Sequence, residues 1–121
     1  MVEGSRQRWF APASRRQLPG TVAELLDSLA AADADSYARV CEALATYDVR
    51  DRLGEIDVPV LAVAGADDEV CPPRHATDVV EGVPRGRSAV IEDAAHLAPA
   101  ERPDAVADLL LAWEDSEGDA R

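Results

Sequence analysis

Ile56-Asp57-Val58-Pro59-Val60-Leu61-Ala62-Val63-Ala64-Gly65 is the stretch on which the fold turns. From Val58 to Ala64 it is apolar without alternation. That is the pattern of a strand buried on both faces, as in a parallel sheet. Pro59 stands near its start, where a missing N–H is tolerated, and Gly65 ends it. Asp67-Asp68-Glu69 follows as an acidic loop. Pro72-Pro73 then opens a helix that runs to about Gly82, since proline suits the first turn. Arg87–Glu92 reads as a second, shorter strand, Asp93–Arg102 as a loop, and Pro103 as the start of a last helix with Val106, Leu109, Leu110 and Trp113 facing inward. A strand–helix–strand crossover makes the two strands parallel and the connection right-handed. Their C-terminal ends then share one sheet edge, where open α/β sheets bind ligands. Two loops meet there, one holding Asp67 and Asp68, the other His96.

Upstream of Ile56 there is no strand pattern. Residues 1–20 read as irregular, with Pro12, Pro19 and Gly20 as breakers and a helical turn over Ser5–Trp9. Thr21 and Glu24 have the spacing of a capping box. Val22, Leu25, Leu26 and Leu29 then repeat at helical spacing. A second helix starts near Asp33 or Asp35 and carries Tyr37, Val40, Cys41 and Leu44 on one face. Asp48 caps a short turn that ends at Gly54. The expected organisation is a helical segment over 1–52, an α/β part over 53–115 and an acidic tail over 116–121. The polar stretch from Glu114 onward is expected to be disordered. Two parallel strands do not make a stable sheet alone. The second half therefore looks like the end of a longer, incomplete sheet, whose exposed strand edge invites self-association.

The 121 residues, 12.9 kDa, fit one small domain. A self-standing fold of this mass exposes about 6,300 Å². Asp and Glu number 24 against 12 basic residues, a formal charge of -12. Phosphate backbones and anionic membranes are repelled by that balance, which argues against nucleic acid and membrane as partners. Every basic residue is Arg, so lysine Schiff-base chemistry and a Walker-type phosphate lysine are excluded. Cys41 and Cys71 form neither a CxxC pair nor a disulfide framework, which suits a reducing compartment. No apolar run approaches the ~20 residues of a bilayer span. The charged stretch from Met1 to Trp9 lacks the apolar core of a signal peptide. The expected location is cytoplasmic.

Two segments resemble the C-terminal portion of the α/β-hydrolase fold, most closely the 3-oxoadipate enol-lactone hydrolases. The first is Val58–Pro73, with Gly65-Ala66-Asp67-Asp68 in the Gly-x-x-Asp pattern that presents the triad acid. The second is Ile91–Pro103, with Asp93-Ala94-Ala95-His96 and then an acidic residue and a proline. The resemblance implies Asp68 as catalytic acid and His96 as catalytic base, with Asp67 the rival acid. Tyr37–Arg52 is similar to the end of the lactonase cap, and Trp9-Phe10 to the aromatic pair that leads into it. The implied reaction is hydrolysis of a carboxylic ester bond in a small lactone, in aromatic-compound catabolism, with no cofactor and no metal. The implied partner is a small-molecule lactone or ester, bound once the missing half completes the site. No substrate-binding residue is assigned.

The family nucleophile is a Ser in G-x-S-x-G. None of Ser5, Ser14, Ser28, Ser36, Ser88 or Ser116 stands in that frame. The chain resembles the later half of an enzyme without its nucleophile. Plainer readings stand beside this one. Asp67 and Asp68 are also turn formers ahead of a helix, and His96 is also an ordinary loop histidine. Cys71 and His75 have a metal-compatible spacing but no further ligands nearby. Cys41 lies inside an apolar helical face, which disfavours it as a nucleophile. Arg15-Arg16 is a solvated pair or a holder of a dicarboxylate. The alternative function is a non-catalytic remnant, or an interaction module that pairs its sheet edge with another chain.

Overall fold

The computed structural model describes residues 2–118. Three helices open it: α1 (Val2–Trp9), α2 (Pro12–Gln17) and α3 (Pro19–Ala30). Residues 1–20, expected as irregular, are therefore mostly helical. The presumed breakers start helices. Pro12 and Pro19 each hold a first helical position, where the fixed φ suits and no N–H is needed. The same placement moves the start of α3 upstream of Thr21. Leu18 precedes that helix without a side-chain cap, so the expected capping box does not form. Val22 and Leu26 of α3 pack with Phe10 in a buried cluster, flanked by Val2, Trp9, Leu25 and Leu97.

Helix α4 (Ala34–Ala45) starts at Asp33, whose Oδ1 accepts the Ser36 N–H at 2.9 Å. Its apolar residues recur at helical spacing, yet α4 buries none of them. Cys41, expected inside that face, is exposed as well. A 3-10 turn over Arg50–Glu55 follows, with Asp48 accepting the Arg50 N–H at 3.1 Å.

Strands β1 (Val60–Gly65) and β2 (Gly86–Ile91) pair in parallel, Val60 opposite Gly86 and Gly65 opposite Ile91. Helix α5 (Pro73–Gly82) crosses between them and packs on both. The far edge of β1 has no neighbouring strand among the described residues. The expectation of a strand buried on both faces holds only at its end. Ala64 and Gly65 are buried, but Val63 is exposed and the rest half-buried, because too few elements surround this strand.

After β2 the loop holds a short helix α6 (Ala98–Glu101), and α7 (Pro103–Gly118) ends the described chain. Ile91, Ala94 and Ala98 form a second small core with Val106 and Leu109. Leu110, expected to face inward, is exposed. The expected disorder from Glu114 is also corrected, since α7 runs on through Gly118. The Ser116 hydroxyl donates to the Trp113 carbonyl at 2.8 Å and receives an Arg87 N–H at 3.3 Å, which holds that turn to β2. Residues 119–121 of the expected tail lie outside the described residues. No described helix is long and apolar enough to cross a membrane. The chain exposes 8246 Å², well above the ~6,300 Å² expected of a self-standing fold of its mass.

Candidate acid–base site

The two strand ends deliver their loops to one edge. Gly65 closes β1 against the loop after β2, where the Ala66 N–H donates to the Ile91 carbonyl and the Asp67 N–H to the Ala94 carbonyl, both at 2.9 Å. The approach is close enough to require glycine. A Cβ on Gly65 would lie only 2.7 Å from the Ala94 carbonyl carbon and closer still to two carbonyl oxygens. On the other side, Asp93 adopts a φ of 54°, the left-handed conformation that aspartate tolerates better than most residues. That turn sends Ala94 and Ala95 inward, to 0% and 2% exposure, and His96 follows them.

His96 Nδ1 lies 3.0 Å from Asp68 Oδ2. The Asp68 side chain is buried, and the imidazole is about three-tenths exposed. The other oxygen, Oδ1, accepts the Val70 and Cys71 N–H groups at 2.8 and 2.9 Å. Burial by itself pushes the Asp68 carboxyl up. The hydrogen bonds from the Cys71 N–H, from His96 and from the Val70 N–H outweigh it and hold the group below the usual carboxylate range. An ionised carboxylate only accepts, so Nδ1 carries the proton and Nε2 is left as the basic nitrogen. The rival Asp67 is exposed, and its backbone N–H is what the loop uses.

Several other residues singled out in the sequence stand apart from this pair. Cys71 and His75 are exposed, and no group of three His, Cys, Asp or Glu among the described residues could hold a metal ion. Partial desolvation of the sulfur, on a residue otherwise open to solvent, and the nearby Asp68 charge push the Cys71 thiol up, away from the reactive thiolate. Of the arginine pair, Arg15 lines a cleft of about 400 Å³ beside Asp68, together with Gln7, Phe10, Pro12 and Asp67. Arg16 and His96 are not part of its wall.

One residue of the site escaped a role in the sequence reading. Glu101 is 2% exposed. Its Oε2 accepts the Ala95 N–H and its Oε1 the Ala11 N–H, each at 2.6 Å. The signal lay in the spacing, an acidic residue five positions after the histidine and two before Pro103. Its long-range partner, 90 residues upstream, left no trace in the local pattern.

No protein-family model matches the chain. It is 39% identical to 3-oxoadipate enol-lactonase 2 of Acinetobacter baylyi over 105 residues, 87% of this chain and 39% of that relative. Its fold superposes on the crystal structure of the enol-lactonase from Burkholderia xenovorans with a TM-score of 0.87 and 26% identity, covering 92% of this chain and 42% of the other. A thermophilic esterase from Thermogutta terrifontis superposes equally well at 24% identity, a likeness of fold alone, over 95% of this chain and 43% of the other. The chain thus spans about two fifths of the length of the proteins it matches. With this likeness of sequence and of fold, the chain belongs to the α/β hydrolases, of which it carries a part.

Proposed function

We propose that these residues supply the acid and base of a serine-type carboxylic-ester hydrolase acting on a small lactone, with the nucleophile contributed from outside these 121 residues. The observation that carries the reading is the Asp68–His96 hydrogen bond at 3.0 Å at the shared end of two parallel strands. In this reading His96 Nε2 takes the proton from a serine hydroxyl as that oxygen attacks the lactone carbonyl. It then returns the proton to the departing enol oxygen. In the second half it takes a proton from water as the water oxygen bonds to the acyl carbon, and it gives that proton to the serine oxygen as the acyl–serine bond breaks, which releases the acid. Asp68 keeps the ring in the required tautomer and stabilises the imidazolium that forms. Likeness to enol-lactonases supports a lactone of aromatic-compound catabolism as substrate. No residue here calls for a cofactor.

The unpaired edge of β1 favours a second reading, a non-catalytic module that pairs this edge with another chain. One experiment separates the two. The purified chain is mixed with a companion that carries the G-x-S-x-G part of an α/β hydrolase, and lactone hydrolysis is followed. The first reading expects no turnover from the chain alone, turnover from the mixture, and its loss in His96→Ala. Binding without turnover would favour the second reading. Hydrolysis by the chain alone, lost on replacing one of its own serines or Cys71, would overturn both.

A further inference from the structure

The residues on both sides of His96 are tied to the start of the chain. Before it, the Ala95 N–H donates to Glu101, whose other oxygen takes the Ala11 N–H. After it, the Leu97 N–H donates to the Trp9 carbonyl at 3.2 Å, and the Leu97 side chain packs on the Phe10 cluster. Among the described residues Glu101 has no ion-pair partner, since the neighbouring Arg102 reaches Asp93 and the Glu101 backbone carbonyl. Its buried carboxylate is satisfied by two backbone N–H donors, which makes the clamp short and charge-assisted.

We propose that Glu101 is a positioning residue that makes the Asp68–His96 contact conditional on docking of the α1–α2 segment. When Ala11 is seated, one carboxylate fixes Ala95 and so the place from which the imidazole leaves the backbone. When Ala11 leaves, Glu101 loses one of its two donors, and the half-satisfied carboxylate holds Ala95 less firmly. The α1–α2 segment also forms one wall of the cleft beside Asp68. Movement of that wall and the readiness of the base are thereby one event. The inference rests on the reading of His96 as base, but its test needs no turnover.

The test is hydrogen exchange and nitrogen-15 NMR on the full chain. In the unsubstituted protein the Ala11 and Ala95 amides are expected to share one opening event, with protection equal within about threefold. Glu101→Gln turns an NH2 group toward one of the two donors. It is expected to lower protection at both amides by about tenfold or more, and to broaden the His96 Nδ1–H resonance, while the β1–β2 ladder stays protected. An unchanged His96 resonance with loosened amides would overturn the proposal and leave Glu101 a mere tie. If Glu101→Gln unfolds the ladder as well, the unsubstituted protein decides, because independent exchange at Ala11 and Ala95 sinks the clamp. Absence of the Nδ1–H resonance from the unsubstituted chain would instead be a failure of the acid–base reading.

Discussion

Helix α4 and the loop carrying His96 treat similar material in opposite ways. Tyr37, Val40 and Leu44 recur along one face of α4 and remain 38%, 58% and 63% exposed. The loop after β2 has mostly alanines to offer, yet Ala94, Ala95 and Ala98 are all buried. The difference lies in the backbone. The loop is knitted to the end of β1 by the Ala66 and Asp67 amides that follow it, and to the start of the chain by Leu97 and Glu101. Helix α4 has its own hydrogen-bond ladder and a cap, and neither reaches another element. Apolar area stabilises only when a surface exists to receive it, whereas a backbone network can place a site with little side-chain volume.

The largest expected effect falls on the loop side. In the completed hydrolase, Asp68→Asn should lower kcat by about 10⁴-fold, because an amide can no longer hold the Nδ1–H tautomer. The same residue sets a pH dependence of stability. Its carboxyl is held below the usual range when folded, so its contribution is present above the unfolded carboxylate value. That contribution is lost as pH falls through the folded value. Urea midpoints should therefore drop more steeply on acidification in the unsubstituted chain than in Asp68→Asn. Equal slopes would show that the carboxylate is not held as described.

Gly65→Ala comes next. The added methyl must displace the Ala94–Ala95 backbone, and overpacking of this kind costs about 1–3 kcal/mol. The expected signature is a lower denaturation midpoint with a lengthened or lost His96–Asp68 hydrogen bond. A neutral Gly65→Ala would break the account of the loop as a backbone-built site.

On the α4 side the effects should be small and local. Asp33→Ala removes the cap on Ser36 and should fray the start of α4, read as faster amide exchange in its first turn. Leu44→Glu should change the stability of the isolated chain by less than about 0.5 kcal/mol, since its side chain has little burial to lose. The same substitution should weaken association with a companion hydrolase part. A large loss of stability in the isolated chain would mean that α4 is already packed.

Legibility in the sequence divides along the same line. Val58–Gly65, the Pro73 helix, the second strand and the helix after Pro103 were all readable, because an apolar run and a proline at a first turn are local signals. Asp68 and His96 were reachable because a single crossover brings the two loops together. The first twenty residues were misread, since Pro12 and Pro19 look like breakers until their position within a helix is known. The face of α4 was visible as a period and invisible as exposure, because burial depends on what stands opposite. The role of Glu101 was hidden for the same reason, as its decisive contact is with Ala11.

The sequence separations of these ties imply an order of assembly. Asp68 and His96 are 28 residues apart, whereas Ala11 and Glu101 are 90 apart. Closing the longer loop costs about 1 kcal/mol more in chain entropy. The crossover unit is thus able to form its Asp68–His96 contact first, with the early helices fastened last. A rapid-quench exchange experiment should then find the β1–β2 amides protected before that of Ala11. The same arithmetic bears on inheritance. A contiguous stretch of chain holds both Asp68 and His96, so a gene rearrangement that moves β1 through α6 carries the hydrogen-bonded pair together. The partner of Glu101 is the piece such a move leaves behind.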